Sequence, residues 1–395
     1  MQSAVERNRN DLPLGELGIV ALESCRELGR KIDQYIAGWR REREHEHHDK
    51  PELAGYSRDS YLVPIGNPRF GSGEGKGQVF ESVRGDDLYL LLDICNYSLT
   101  YKMNGIINHM SPDDHYQDLK RIISAIGGKA RRITVIMPFL YESRCLTRSE
   151  RESLDCAMAL QELINMGVDN IVTFDAHDAR VQNAIPLHGF ENYHTAYRLI
   201  KGIYKVIPDF SFSPETLMVI SPDEAGAKRA IYMANLLGVD MGMFYKRRDY
   251  TKFENGENPI VAHEFLGAEV AGKDAIIIDD MISSGKTILE VAAALKKRKA
   301  NRIFLCASFG LFTNGLEDFD QAYKNKLFTA LLTTNLVYQR PELFSKPYYM
   351  GVDMSKFIAL IIDTMNHDGS VSSLLDPVDR INTFFVKHGH QFQTE

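Results

Sequence analysis

The stretch IIIDDMISSGKTI, residues 276–288, joins an apolar run to a pair of carboxylates and then to a small-residue turn that opens a helix. Ile276, Ile277 and Ile278 follow one another without polar alternation, the pattern of a strand buried on both faces in a helix-covered parallel sheet. The end of the stretch imitates a Walker A phosphate loop, G-x-x-x-x-G-K-[ST], but Asp280 stands where that loop needs its first glycine. A cradle for phosphate alone would also exclude Asp279 and Asp280 from its mouth, because adjacent like charges are costly unless hydroxyls or a cation share the site. Carboxylates accept hydrogen bonds from vicinal hydroxyls, and backbone N–H groups at a helix start hold phosphate. A sugar phosphate therefore satisfies both halves of the loop.

Outward from this stretch the same alternation recurs. Apolar runs at 88–93 (LYLLLD), 133–139 (ITVIMPF), 170–178 (NIVTFDAHD), 216–226 (TLMVISPDEAG), 274–285 (DAIIIDDMISSG) and 302–310 (RIFLCASFG) each end abruptly in polar or turn residues. Segments of helical period at 150–166, 224–237 and 286–298 lie between them. This is βα repetition, and it predicts an α/β protein with two similar halves, each a parallel sheet flanked by helices, joined by a passage at 191–215. In such sheets ligands bind beyond the carboxyl ends of the strands, where the chain places Asp175, His177, Asp223, Asp279 and Asp280.

Upstream, Ile19, Leu22, Cys25, Leu28, Ile32, Ile36 and Trp39 recur at three- and four-residue steps, predicting an amphipathic helix over 16–40 that docks on the body. The charged tract REREHEHHDKPE at 41–52 reads as a solvated helix end and linker rather than a histidine metal tract. The domain expectation is a helical N-terminal extension at 1–60, a first α/β domain at 61–200 and a second at 201–395, with the last helix packing back on the first domain.

Composition narrows the partners. No apolar run reaches the about eighteen residues that span a bilayer, and the N-terminal MQSAVERNRNDLPLG has no apolar signal core, so a cytoplasmic location without membrane contact is expected. Five cysteines without C-x-x-C spacing argue against a disulfide framework or a structural zinc site. A net charge of −7 disfavours nucleic acid, which leaves small molecules as partners.

At the run ends the chain resembles the ribose-phosphate diphosphokinases, the phosphoribosyl pyrophosphate synthetases, whose fingerprint is a paired Asp followed by a D-T-G/A-G-T loop. SPDEAGAKRA (221–230) is similar to the family's S-P-D-x-G-G-x-x-R-A, and YKRRD (245–249) to its K-R-R segment. FDAHDARVQNAI (174–185) resembles its D-L-H-x-x-x-I-Q segment, and RFGSGEG (69–75) with ESVRG (81–85) its F-S-D-G-E and E-S-V-R-G. RRITVIMPFLYESR (131–144) resembles its R-R-I-T-x-x-I-P-Y-x-x-Y-x-R, so that the likeness runs over roughly 62–390 and leaves 1–60 outside.

The resemblance implies two phosphoribosyltransferase-like domains and magnesium-dependent transfer of diphosphate from ATP to ribose 5-phosphate. It makes Lys246 and Arg248 the catalytic pair, and it assigns the ribose phosphate to Asp279, Asp280, Ser283, Ser284, Gly285, Lys286 and Thr287. It gives Phe70, Ser72, Glu74 and Arg144 to ATP, and His177 and Asp223 to the metal. Phe70 and Glu74 match residues that the family supplies from a neighbouring subunit, which implies a homo-oligomer, a dimer or hexamer.

Three departures fall at ligand-facing places. Ser72 replaces the Asp of F-S-D-G-E, Cys145 the Gln after Arg144, and Ser283 the Asp of D-T-G-G-T. Lys286 stands at a family glycine, adding a positive charge to the loop and restricting positive φ there. These changes open two alternatives: a diphosphokinase acting on another ribose 5-phosphate ester or nucleotide donor, and a non-catalytic regulatory homologue.

Overall fold

The structure, a computed structural model, describes residues 12–46, 56–145, 148, 151–208, 210–248 and 260–388. In chain order it begins with β1 (Leu17–Ala21), α1 (Arg26–Glu46), β2 (Ile65–Gly66), β3 (Gln78–Val79), β4 (Asp87–Leu91), β5 (Thr100–Met103) and β6 (Ile106–His109). There follow α2 (Pro112–Ile126), β7 (Arg132–Ile136), α3 (Asp155–Asn165), β8 (Asn170–Phe174), β9 (Gly189–Tyr193) and α4 (Ala196–Val206). Next come β10 (Leu217–Ser221), α5 (Ala227–Leu237), β11 (Asp240–Arg248), β12 (Ile260–Leu266), β13 (Asp274–Ile282) and α6 (Lys286–Lys297). The chain continues through β14 (Ile303–Gly310), α7 (Glu317–Lys324), β15 (Ala330–Thr334), β16 (Tyr349–Val352), α8 (Ser355–Asn366), α9 (Ser372–Leu375) and α10 (Val378–Lys387).

All six apolar runs form strands, β4, β7, β8, β10, β13 and β14. Two units separate. The first comprises residues up to His194 with Asn335–Tyr338 and Asp353–Asp376; the second comprises Thr195–Thr334, Gln339–Val352 and the segment from Pro377. The first unit holds a five-stranded parallel sheet in the order β1-β4-β7-β8-β9. The second holds a seven-stranded sheet, β12-β11-β10-β13-β14-β15-β16, parallel except where β12 runs antiparallel to β11. Every residue of β4, β10, β14 and β15 is buried, as strands with both faces covered require.

The expected helix over 16–40 is corrected in its first turns. Leu17, Gly18, Ile19 and Val20 are consecutively buried and form β1, paired with β4 from Leu17↔Asp87 to Ala21↔Leu91. A Cβ at Gly18 would lie 2.5 Å from Cδ2 of Leu88, so a larger residue here would force the Leu88 side chain to move. Residues from Leu17 onward are thus part of the first unit's sheet, and the helical part of the expectation survives as α1. Of the charged tract at 41–52, residues to Glu46 extend α1, whereas 47–52 lie outside the described residues.

α1 packs on α8 within the first unit through buried charge. Arg40, 2% exposed, meets Oδ1 of Asp363 at 3.3 Å and donates to Oδ1 of Asn366 at 2.6 Å. Arg43 forms a second ion pair with Asp363 and donates to the Tyr56 hydroxyl at 2.7 Å. These partners hold the Asp363 carboxyl well below the usual carboxylate range against the opposing effect of its burial. The helices that return to the first unit are α8 and α9, while the last one, α10, belongs to the second. The passage at 191–215 contains the end of β9 and all of α4, and the division falls between His194 and Thr195.

Candidate functional site

In the second unit β13 lies between β10 and β14, and its carboxyl end presents Asp279 and Asp280. Each carboxylate is oriented by the next residue's backbone: Asp280 N–H donates to Oδ1 of Asp279 and Met281 N–H to Oδ1 of Asp280, both at 2.9 Å. Asp280 is buried, 3% exposed. Ser283 and Ser284 lead into Gly285, which takes φ of +87° and precedes α6. The Phe319 ring lies behind it, and a Cβ on Gly285 would come within 2.4 Å of that ring, so the position needs glycine for space as well as for φ. The positive φ falls on Gly285 rather than on Lys286, which begins the helix, so the expected backbone restriction at Lys286 does not arise.

The start of α6 is open. No side chain caps it and no acidic residue occupies its first turn, while Lys286 N–H makes only a 3.4 Å contact with the Ser284 hydroxyl. The first N–H groups of a helix lack intrahelical partners and carry partial positive charge. An exposed Lys286 adds a full one at this end. Ser284, Gly285, Lys286 and Thr287 thus form an anion-receptive turn directly after a carboxylate pair.

Charge around the pair is uneven. Burial and the neighbouring Asp280 push the Asp279 carboxyl well above the usual range, with Asp223 adding to the effect and Arg229 opposing it. Arg229 on α5 places Nη1 3.5 Å from Oδ1 of Asp279 and Nη2 3.7 Å from Oδ2 of Asp280. Asp223, half-buried in the turn before α5, accepts the Gly226 N–H at 3.0 Å. Lys246 and Arg248 lie on β11, where the backbone of Lys246 pairs with His263 of β12 and the register shifts at Arg247/Arg248.

The first unit carries the remaining predicted residues. His177 is exposed beyond β8, two residues after Asp175, which holds the left-handed φ of +38°. Asp175 is 4% exposed and bonds Nδ1 of His194 at 2.8 Å, while Ala176 N–H donates to Oδ1 of Asn192 at 3.0 Å. Two contacts from β9 and its end thus fix the turn that carries His177. Arg144 is exposed after β7. Phe70, Ser72 and Glu74 share one tight loop, closed by Phe70 N–H to Glu74 O at 2.8 Å and the Ser72 hydroxyl to Oε2 of Glu74 at 2.8 Å. The Phe70 ring is 57% exposed.

Sequence reasoning assigned no role to Arg229 or Asp93, although both stand inside quoted motifs. Arg229 was signalled by an arginine in the first turn of a helix that follows a strand end. Asp93 was signalled as the one carboxylate closing the run LYLLLD. Asp93 is 3% exposed, accepts N–H groups from Cys95 at 2.8 Å and Tyr338 at 2.6 Å, and is pushed up to about 7 by burial.

For magnesium, Asp223 supplies a hard carboxylate oxygen of the kind this ion takes, whereas His177, in the other unit, is a softer donor. Among the described residues no group of three His, Cys, Asp or Glu side chains is arranged to hold a metal. All five cysteines are free thiols, and no helix among the described residues is long and apolar enough to cross a membrane.

Two α/β units, one with an acidic pair running into an open helix start, define a protein of the phosphoribosyltransferase fold class. A family profile for the N-terminal domain of ribose phosphate pyrophosphokinase matches residues 17–167, and one for the phosphoribosyl transferase domain matches residues 190–343. The chain is 27% identical over 334 residues to the ribose-phosphate pyrophosphokinase of Vibrio parahaemolyticus, covering 82% of this chain and 96% of that one. It is 29% identical over 329 residues to that of Prochlorococcus marinus, covering 80% and 88%. The crystal structure of phosphoribosylpyrophosphate synthetase from Mycobacterium smegmatis superposes with a TM-score of 0.69 at 20% identity, covering 90% of this chain and 100% of that one. The chain belongs to the ribose-phosphate pyrophosphokinase family of enzymes. The likeness begins at residue 17, which corrects the expectation that 1–60 lies outside it; β1 and α1 belong to the matched domain.

Proposed function

We propose that the protein transfers a diphosphoryl group from ATP to the anomeric hydroxyl of ribose 5-phosphate, giving phosphoribosyl pyrophosphate and AMP. The observation that carries this reading is the junction of Asp279 and Asp280 with the uncapped start of α6, one loop offering acceptors to a diol and donors to a phosphate. In this reading Asp279 and Asp280 hold the ribose hydroxyls, and Ser283, Ser284, Gly285 and Thr287 hold the 5-phosphate. Phe70, Ser72, Glu74 and Arg144 hold the nucleotide. The anomeric oxygen attacks the β-phosphorus, the bond from that phosphorus to the α–β bridging oxygen breaks, and AMP departs with that oxygen while the anomeric proton passes to solvent.

Such an in-line displacement depends on positioning and on cations facing the charge that develops on the transferred group, the part given to Lys246 and Arg248. Magnesium would supply positive charge against the nucleotide's phosphates, and Asp223 in the second unit and His177 in the first are each candidates to hold it. The protein works as a homo-oligomer in the cytoplasm, with Phe70 and Glu74 contributed to a neighbouring subunit's nucleotide.

A second reading is favoured by Lys286. A cation at the first position of a helix opposes the macrodipole, which makes sense where an anion of more than one negative charge sits there. The acceptor would then be a more heavily charged ribose 5-phosphate ester. Mass spectrometry of mixtures of ATP, magnesium and a panel of ribose phosphates decides between them. Consumption of ribose 5-phosphate supports the first reading, selective consumption of a larger ester the second, and turnover of none would leave a regulatory homologue.

A further inference from the structure

We infer that Arg229 is a positioning residue of the acceptor site, a fixed countercharge that keeps the Asp279–Asp280 pair facing the ribose hydroxyls as acceptors. The inference rests on the reading of that loop as the sugar-phosphate site. Two consecutive carboxylates at a strand end repel one another, and here one of them is 3% exposed, where repulsion is poorly screened. The Arg229 guanidinium faces both, its two terminal nitrogens 3.5 Å from Asp279 and 3.7 Å from Asp280. Its side chain is only 12% exposed, so it is held in place rather than free to wander.

The distances matter as much as the pairing. At 3.5 and 3.7 Å the fork lies within ion-pair range but beyond a good N–H···O hydrogen bond. It balances charge without closing a short hydrogen bond on either carboxylate, and the backbone N–H groups of Asp280 and Met281 set the carboxylates' rotation. The approach of α5 to the pair is equally close at Gly226, where a Cβ would lie 3.0 Å from the Ser221 hydroxyl and 3.6 Å from Oδ1 of Asp279. Only a planar fork spans two carboxylates on successive residues; an ammonium group supplies the charge at one point.

Isothermal titration of ribose 5-phosphate and, separately, of magnesium-ATP into wild type, Arg229→Gln and Arg229→Lys tests this. Arg229→Gln should weaken ribose 5-phosphate roughly ten- to a hundredfold, the range for hydrogen bonds to charged groups, with magnesium-ATP affinity changed less than about twofold. Arg229→Lys should restore part of the acceptor affinity without reaching wild type. Unchanged acceptor affinity in Arg229→Gln, or equal losses of both ligands in both variants, would overturn the inference and leave Arg229 a purely structural ion pair. A wild type that bound no ribose 5-phosphate would overturn the underlying reading of the loop instead.

Discussion

At the scale of single residues, the proposed acceptor loop would divide its work between side chains and backbone. Asp280 is buried and its carboxylate is oriented by the Met281 N–H, and in the proposed reading it would accept from the ribose hydroxyls while the phosphate side of the loop draws on the main-chain N–H groups at the start of α6 as well as on side chains. Asp280→Asn should therefore weaken ribose 5-phosphate binding by roughly ten- to a hundredfold, since hydrogen bonds to charged groups contribute about 1.5–3 kcal/mol, and should leave ATP binding nearly intact. Calorimetry with each ligand alone reads both effects. Equal loss of the two, or selective loss of ATP, would show that SSGKT serves the nucleotide.

The place of the carboxylate pair at a strand end was legible in the sequence because it closes an apolar run. Arg229 was not, since its meaning lies in a contact between residues fifty positions apart in sequence and not in its own neighbourhood. The turn from Asp175 to His177 was legible as a strand end, but the pairing of Asp175 with His194 depends on the parallel register of β8 and β9.

At the scale of elements, α1 and α8 show how a segment read as an appendage becomes part of a domain. Asp363 is fully buried between two arginines, and the desolvation cost of such a charge is offset only while its partners remain. Arg40→Met should destabilise the protein by up to about 3–5 kcal/mol, the range for removing one partner of a buried ion pair, with Arg43 left as the remaining countercharge of Asp363, measured by denaturant unfolding. Acid should act on the same contact. The folded carboxyl lies below its unfolded value, so its contribution is complete above the ordinary aspartate range near pH 4 and is lost as pH falls below it. Asp363→Asn should accordingly flatten the acid limb of the stability profile; an unchanged acid limb would remove this ion pair from the account.

The start of α1 shows why β1 was misread. Ile19, Leu22 and Cys25 satisfy a helical spacing, yet Leu17 to Val20 form a continuous buried run, and a run of four or five apolar residues is ambiguous between the two periods. Pairing with β4 settles the matter through backbone hydrogen bonds that no local pattern encodes. β11 and β12, the hairpin bearing Lys246, escaped for the related reason that charged residues near a sheet edge blur the strand signal.

At the scale of the whole molecule, the repetition of βα units was legible because fully buried parallel strands are written in Ile, Val and Leu wherever they occur. That a late helix returns to the first unit was expected from sequence, but which segments return, Asn335–Tyr338 and Asp353–Asp376, was not legible, because that choice is made by long-range contacts such as Tyr338 N–H to Asp93 and Arg40 to Asp363. The proposed function is likewise a property of the whole chain: transfer of a diphosphoryl group from ATP to ribose 5-phosphate. Phosphorus NMR of wild-type protein with ATP, magnesium and ribose 5-phosphate tests it most directly. The account predicts that AMP and a sugar 1-diphosphate appear together in equal amounts, whereas formation of ADP, or loss of ATP with the sugar phosphate unchanged, would contradict it.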